Sequence, residues 1–145
     1  MVARCVFCEI VRGEAAAFVV LEDDDHLAFL DRRPLFPGHT LLVPKAHVVT
    51  LPDLPVDAVG PLFERAQRLA AAMVGAEAEG GFGAAGSFVA LNNTISQSVP
   101  HLHVHVVPRN KRDGLRGFFW PRTTYRDDAH ATEVAASVRA ALASG

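Results

Sequence analysis

Residues 101–107 read His-Leu-His-Val-His-Val-Val, and this run constrains the fold more than any other part of the chain. Apolar, β-branched-rich residues at every second position predict a strand, with His101, His103 and His105 on one face and Leu102, Val104 and Val106 on the other. Alternate strand residues stand about 6.6 Å apart at Cα, so the outer histidines are separated by roughly 13 Å. A single zinc needs ligand nitrogens within about 2.1 Å, which disfavours one ion held by all three. The pattern instead predicts a row of neutral bases and donors able to engage a phosphate, one of them as nucleophile.

The chain has 145 residues, half of them hydrophobic, enough for a single domain with a buried core. A formal charge of -2 and a pI near 6.4 argue against a nucleic-acid partner and favour small molecules. No run resembles a signal peptide or a membrane span, which points to the cytoplasm. Cys5 and Cys8 are too close in sequence to staple a fold; in a reducing compartment such a pair is metal-binding or redox-active.

A short helix is expected over Cys5–Arg12, stopped by Gly13, followed by strand-like runs Phe18–Leu21 and Leu27–Leu30 about an acidic turn. A third strand covers His39–Val43 and ends at Pro44. Apolar residues at helical spacing from Pro55 or Asp57 to about Ala78 (Val59, Leu62, Phe63, Ala66, Leu69, Ala70, Met73) predict the main helix, laid on a sheet. Gly80–Gly86 reads as a flexible connection, Ser87–Leu91 as a fourth strand, His101–Val107 as a fifth and Ala131–Ala143 as an Ala-rich helix. The segment Asp113–Tyr125, with Phe118-Phe119-Trp120, has no clear period and is expected to drape over the core or a partner. Together these elements predict an α+β domain with a five-stranded, mostly antiparallel sheet. One domain over 1–145 is expected, with 108–145 as a C-terminal extension.

Every position of the 101–107 run matches the signature His-φ-His-φ-His-φ-φ, with φ apolar, and the chain resembles the histidine triad family. Phe29-Leu30-Asp31, the segment Pro37–His47, the pair Asn92-Asn93 and Gln97-Ser98 resemble family features in the family's order, over about residues 5–108. The resemblance implies a homodimeric nucleotide hydrolase or transferase. His103 then matches the nucleophile that attacks the α-phosphate to form a nucleotidyl-histidine; imidazole suits the task as both nucleophile and leaving group. His105 would stabilise the developing charge, with Ser98 and Gln97 donating to phosphate or leaving-group oxygens and Asn92 or Asn93 completing that shell. Asp31 resembles the ribose-binding acid, and Phe7, Ile10, Phe18 and Leu27 resemble the walls around the base, a purine by resemblance. His39 lies either near the phosphate or in a merely structural setting. Thr94-Ile95-Ser96 departs from the longer, glycine-richer stretch of better-known relatives.

Cys5 and Cys8 have the spacing of half a structural zinc site. A zinc-binding bacterial Hint-like branch of the same family completes it with residues matching His47 and His101, which implies a closed Cys₂His₂ site with a structural ion and no organic cofactor. The expected activity is hydrolysis of nucleoside phosphoramidates, phosphate esters or dinucleoside polyphosphates. The alternative is a nucleotide- or partner-binding module with incidental turnover, and the central His103 favours the enzyme.

Overall fold

Period-two patterning becomes five strands in the computed structural model, which describes residues 3–115 and 122–144: β1 (Val19–Glu22), β2 (His26–Leu30), β3 (Thr40–Pro44), β4 (Gly86–Ala90) and β5 (Val104–Arg109). They form one sheet of order β1-β2-β3-β5-β4 in which every pairing is antiparallel. β5 therefore lies inside the sheet, where His105 is paired with Leu41 on one side and Ala90 on the other. The α+β architecture expected from the sequence is the one found.

Two apolar layers sandwich the sheet. Helix α2 (Val56–Met73) buries Leu62, Ala66, Leu69 and Met73, a single stripe at helical spacing, against Ala28, Leu42, Leu102, Val104 and Val106. On the opposite face Phe7 of the short helix α1 (Val6–Val11) packs with Leu27, Phe29, Leu41 and Val43. The histidines share this second face, since they alternate with the residues facing α2.

Three expectations for residues 56–107 need correction. β5 begins at Val104, so His101 and His103 precede the strand: the His101 N–H bonds to the Val99 carbonyl (2.8 Å) and the Leu102 N–H to that of Val48 (2.6 Å). α2 stops at Met73 rather than near Ala78, because Val74 turns to extended backbone and pairs with Ala84. The glycine-rich segment that follows is not a loose connection. Phe82 N–H and Ala84 N–H donate to the carbonyls of Ala72 and Met73 (2.9 and 3.0 Å), satisfying the end of α2. Gly81 is required there, as a Cβ would stand 2.3 Å from the Val74 oxygen. Phe82 in turn covers Gly38, where a Cβ would meet its ring at 2.9 Å, and so holds the turn leading to His39.

The chain divides into two compact units, Met1–Asp113 and Gly114–Gly145. The second contains α3 (Asp128–Ala143), which starts three residues earlier than expected because the Asp127 carboxylate accepts from the His130 N–H at 2.8 Å. The Phe118-Phe119-Trp120 stretch lies outside the described residues. Among the described residues no helix is long and apolar enough to cross a membrane.

Candidate active site and metal centre

The second face of the sheet opens into a cleft of about 270 Å³. α1 contributes Val6, Phe7 and Ile10, and the segment before β1 contributes Ala15, Ala16 and Ala17. The floor is Phe29 and Leu41. Asp31, Ser98, His103 and His105 bring polar groups to this apolar pocket, the make-up of a small-molecule site.

Hydrogen bonds assign different tasks to the two histidines. Nδ1 of His103 lies 2.7 Å from the His101 carbonyl, which can only accept, so Nδ1 carries the proton and Nε2 keeps its lone pair. His105 is arranged the other way through His39, which the sequence left undecided. The Leu35 N–H donates to His39 Nδ1 (3.0 Å), so the neutral ring is protonated at Nε2 and donates to His105 Nδ1 (2.9 Å). His105 then carries its proton on Nε2. The pair thus presents a nucleophilic nitrogen and an N–H donor, with ring centroids 5.0 Å apart.

Burial reinforces this assignment. It lowers the His39 pKa below the ordinary value, the nearby Asp31 carboxylate opposing and His103 assisting. Burial, then His103 and His39, push His105 down to about 4, so its ring is neutral at pH 7. Asp31 Oδ2 is 3.6 Å from His39 Nε2, and Oδ1 accepts from the Arg33 N–H at 2.8 Å.

The remaining sequence candidates divide. Phe7 and Ile10 line the cleft, but Phe18 does not and is 71% exposed, while Leu27 belongs to the core beneath α1. The Gln97 amide is committed at both ends, accepting from Thr94 N–H (2.9 Å) and donating to the Val49 carbonyl (2.6 Å). Asn93 accepts from Leu51 N–H at 2.8 Å, and neither it nor Asn92 lines the cleft. These side chains brace a tight turn in which Thr94 (φ 68°) and Ser96 (φ 60°) take the left-handed conformation, a strain carried beside Ser98.

Cys5, Cys8, His47 and His101 converge at a second point, all four ligand atoms lying within 4.8 Å of one another. Tetrahedral zinc with its usual bond lengths requires edges of about 3.5 Å between sulfur and nitrogen and about 3.3 Å between two nitrogens. The observed values are 3.4 Å (Cys5 Sγ–His101 Nδ1), 3.2 Å (Cys8 Sγ–His47 Nδ1), 3.5 Å (Cys8 Sγ–His101 Nδ1) and 3.2 Å (His47 Nδ1–His101 Nδ1). His101 Nε2 donates to the Pro44 carbonyl at 2.8 Å, which leaves Nδ1 unprotonated and aimed at the cluster. The residues fit zinc. His101 belongs to this cluster while His105 groups with Asp31 and His39, so the three histidines are divided between two sites.

An α+β sheet domain thus sets the paired imidazoles of His103 and His105 in an apolar cleft beside a Cys₂His₂ cluster. Comparison with known proteins makes this specific: the HIT domain family profile matches residues 12–112, and the chain belongs to the HIT family. It is 33% identical to the adenylylsulfatase HINT3 of Arabidopsis thaliana, over 97% of this chain and 70% of that protein. It is 34% identical to the adenosine 5'-monophosphoramidase HNT1 of Saccharomyces cerevisiae, over 82% and 71%. Among solved structures, a Zn-bound histidine triad family protein from Mycobacterium smegmatis superposes with a TM-score of 0.70 at 38% identity, covering 96% of each chain. That zinc-bound relative fits a zinc-binding, Hint-like branch; in this chain Cys5 and Cys8 precede the residues matched by the family profile.

Proposed function

We propose that this protein hydrolyses or transfers nucleotides at the α-phosphate, through a covalent intermediate on His103. One observation carries the reading: in a nucleotide-sized cleft, His103 has Nδ1 engaged and Nε2 free, beside a His105 held neutral with its N–H available. His103 Nε2 attacks phosphorus, the bond to the leaving group breaks, and a P–N bond forms. Water then displaces the imidazole and restores the nitrogen lone pair. The His105 N–H bonds the phosphoryl oxygens as charge grows, and the Ser98 hydroxyl donates to the phosphate or the departing group. Asp31 accepts from the ribose hydroxyls, and Phe7, Ile10, Phe29 and Leu41 enclose the base.

Phosphoramidates and sulfate-linked adenylates are the first substrates to try, because the named relatives are an adenosine 5'-monophosphoramidase and an adenylylsulfatase. A purine agrees with those names and with the apolar walls. Zinc held by Cys5, Cys8, His47 and His101 supplies structure, pinning α1 to the segment that bears His103. A homodimer in the cytoplasm is the setting we infer: Val89 on edge strand β4 is exposed, two-fold dimers are the commonest assemblies of small domains, and a thiolate metal site suits a reducing compartment.

The test is a panel of adenosine and guanosine phosphoramidates, mononucleotide esters and dinucleoside polyphosphates, assayed with wild type and His103→Ala. Turnover of at least one class, lost in the variant by a thousandfold or more while nucleotide still binds, is the expected result. Variant activity within tenfold of wild type would overturn the covalent role of His103.

A further inference from the structure

The metal cluster and the nucleotide cleft share one structural element. α1 has six residues, Val6–Val11, far short of the roughly 12 a helix needs for stability of its own in water. Its position depends on what it touches at its two functional ends. Cys5, its N-cap, and Cys8, in its first turn, face His47 and His101. Between those cysteines, Phe7 packs its ring on His101 (centroids 5.9 Å), on His103 (5.1 Å) and on Phe29 (5.4 Å). Val6, Phe7 and Ile10 also form one wall of the cleft. A second connection runs through the backbone, because the carbonyl of ligand His101 is the group that fixes the His103 ring.

We propose that zinc and nucleotide bind cooperatively, with α1 and the His101–His103 segment as the shared element: metal assembles the base wall and orients the nucleophile, and a bound nucleotide retains the metal. This rests on the nucleotide-binding reading above. When the ion leaves, the cysteines no longer hold α1, and Phe7 can withdraw from both the cleft and the His103 ring. The free energy of ordering α1 is then charged to whichever ligand binds first, so the second binds more tightly. The protein thereby becomes responsive to zinc supply at the level of substrate affinity, although zinc takes no part in the chemistry.

The experiment uses the intact zinc-loaded protein and two probes, AMP and zinc itself. Calorimetry measures AMP affinity before and after chelator treatment, with circular dichroism recording whether the sheet persists. We expect stripping to weaken AMP by about tenfold, within the roughly 5- to 150-fold range of ordinary site coupling. Because stripped protein can unfold, a second measurement begins from the folded, loaded form: zinc transfer to a chromophoric chelator, with and without saturating AMP. AMP should slow transfer by about tenfold, and Phe7→Ala, which keeps all four ligands, should remove most of that protection. AMP that binds yet leaves the transfer rate within twofold would overturn the coupling alone. Absence of AMP binding to the loaded protein would overturn the functional reading and this inference with it.

Discussion

At the scale of single residues, the site depends on two imidazoles being locked into opposite tautomers. His103 is fixed by one carbonyl, whereas His105 is fixed at second hand through His39 and the Leu35 amide. This arrangement has a pH consequence. A buried imidazole whose folded pKa lies below its unfolded value binds fewer protons than the unfolded chain, so stability is fully present above about pH 6.5 and declines as pH falls toward 4. Asp23, whose carboxylate is held far below its usual range chiefly by Arg65, against the opposing effect of burial, loses its contribution only at still lower pH. Between pH 6.5 and 5 the slope of stability therefore includes a contribution from His105. Replacing His105 with Asn should flatten that slope in urea-melt series at several pH values; an unchanged slope would mean that His105 is not held neutral by the fold.

At the scale of elements, α1 and α2 carry contrasting loads. α2 is held by one apolar stripe, and Leu62 at its centre is fully buried. Leu62→Ala should cost about 2–5 kcal/mol in chemical denaturation, as other buried Leu truncations do. α1 buries only Phe7 and depends on its cysteines, so Cys5→Ser or Cys8→Ser should lose the metal, from about one zinc per chain by elemental analysis, together with thermal stability. Retention of zinc in either variant would contradict the ligand assignment.

The same contrast explains what could be read in the sequence. α2, the five strands and the histidine alternation are regular patterns in which each residue's period fixes its face, so they were legible. The start of β5 was not, because His101 and His103 keep strand-like alternation while the His101 N–H bonds to Val99 and the Leu102 N–H to Val48. Gln97 and Asn93 were drawn toward the nucleotide by order in the chain and Phe18 by resemblance to an apolar wall, whereas the fold engages both amides with backbone groups and leaves Phe18 outside the cleft. His39 stayed undecided because a strand-end histidine has no assignable task until its partner His105 is placed beside it. Its side-chain hydrogen bond to His105 is the signal, and that requires the register of β3 against β5.

At the scale of the whole molecule, the account predicts a dimer: light scattering at micromolar concentration should give a mass near twice 15.6 kDa, and a species at 15.6 kDa alone would contradict it. The central claim, however, concerns one bond. Wild-type protein mixed with an α-phosphate-labelled adenosine phosphoramidate and quenched within milliseconds should carry label on the peptide containing His103, stable to base and released by acid as a P–N bond requires. Rapid turnover with no protein-bound label at any quench time, or label on a residue other than His103, would contradict the account.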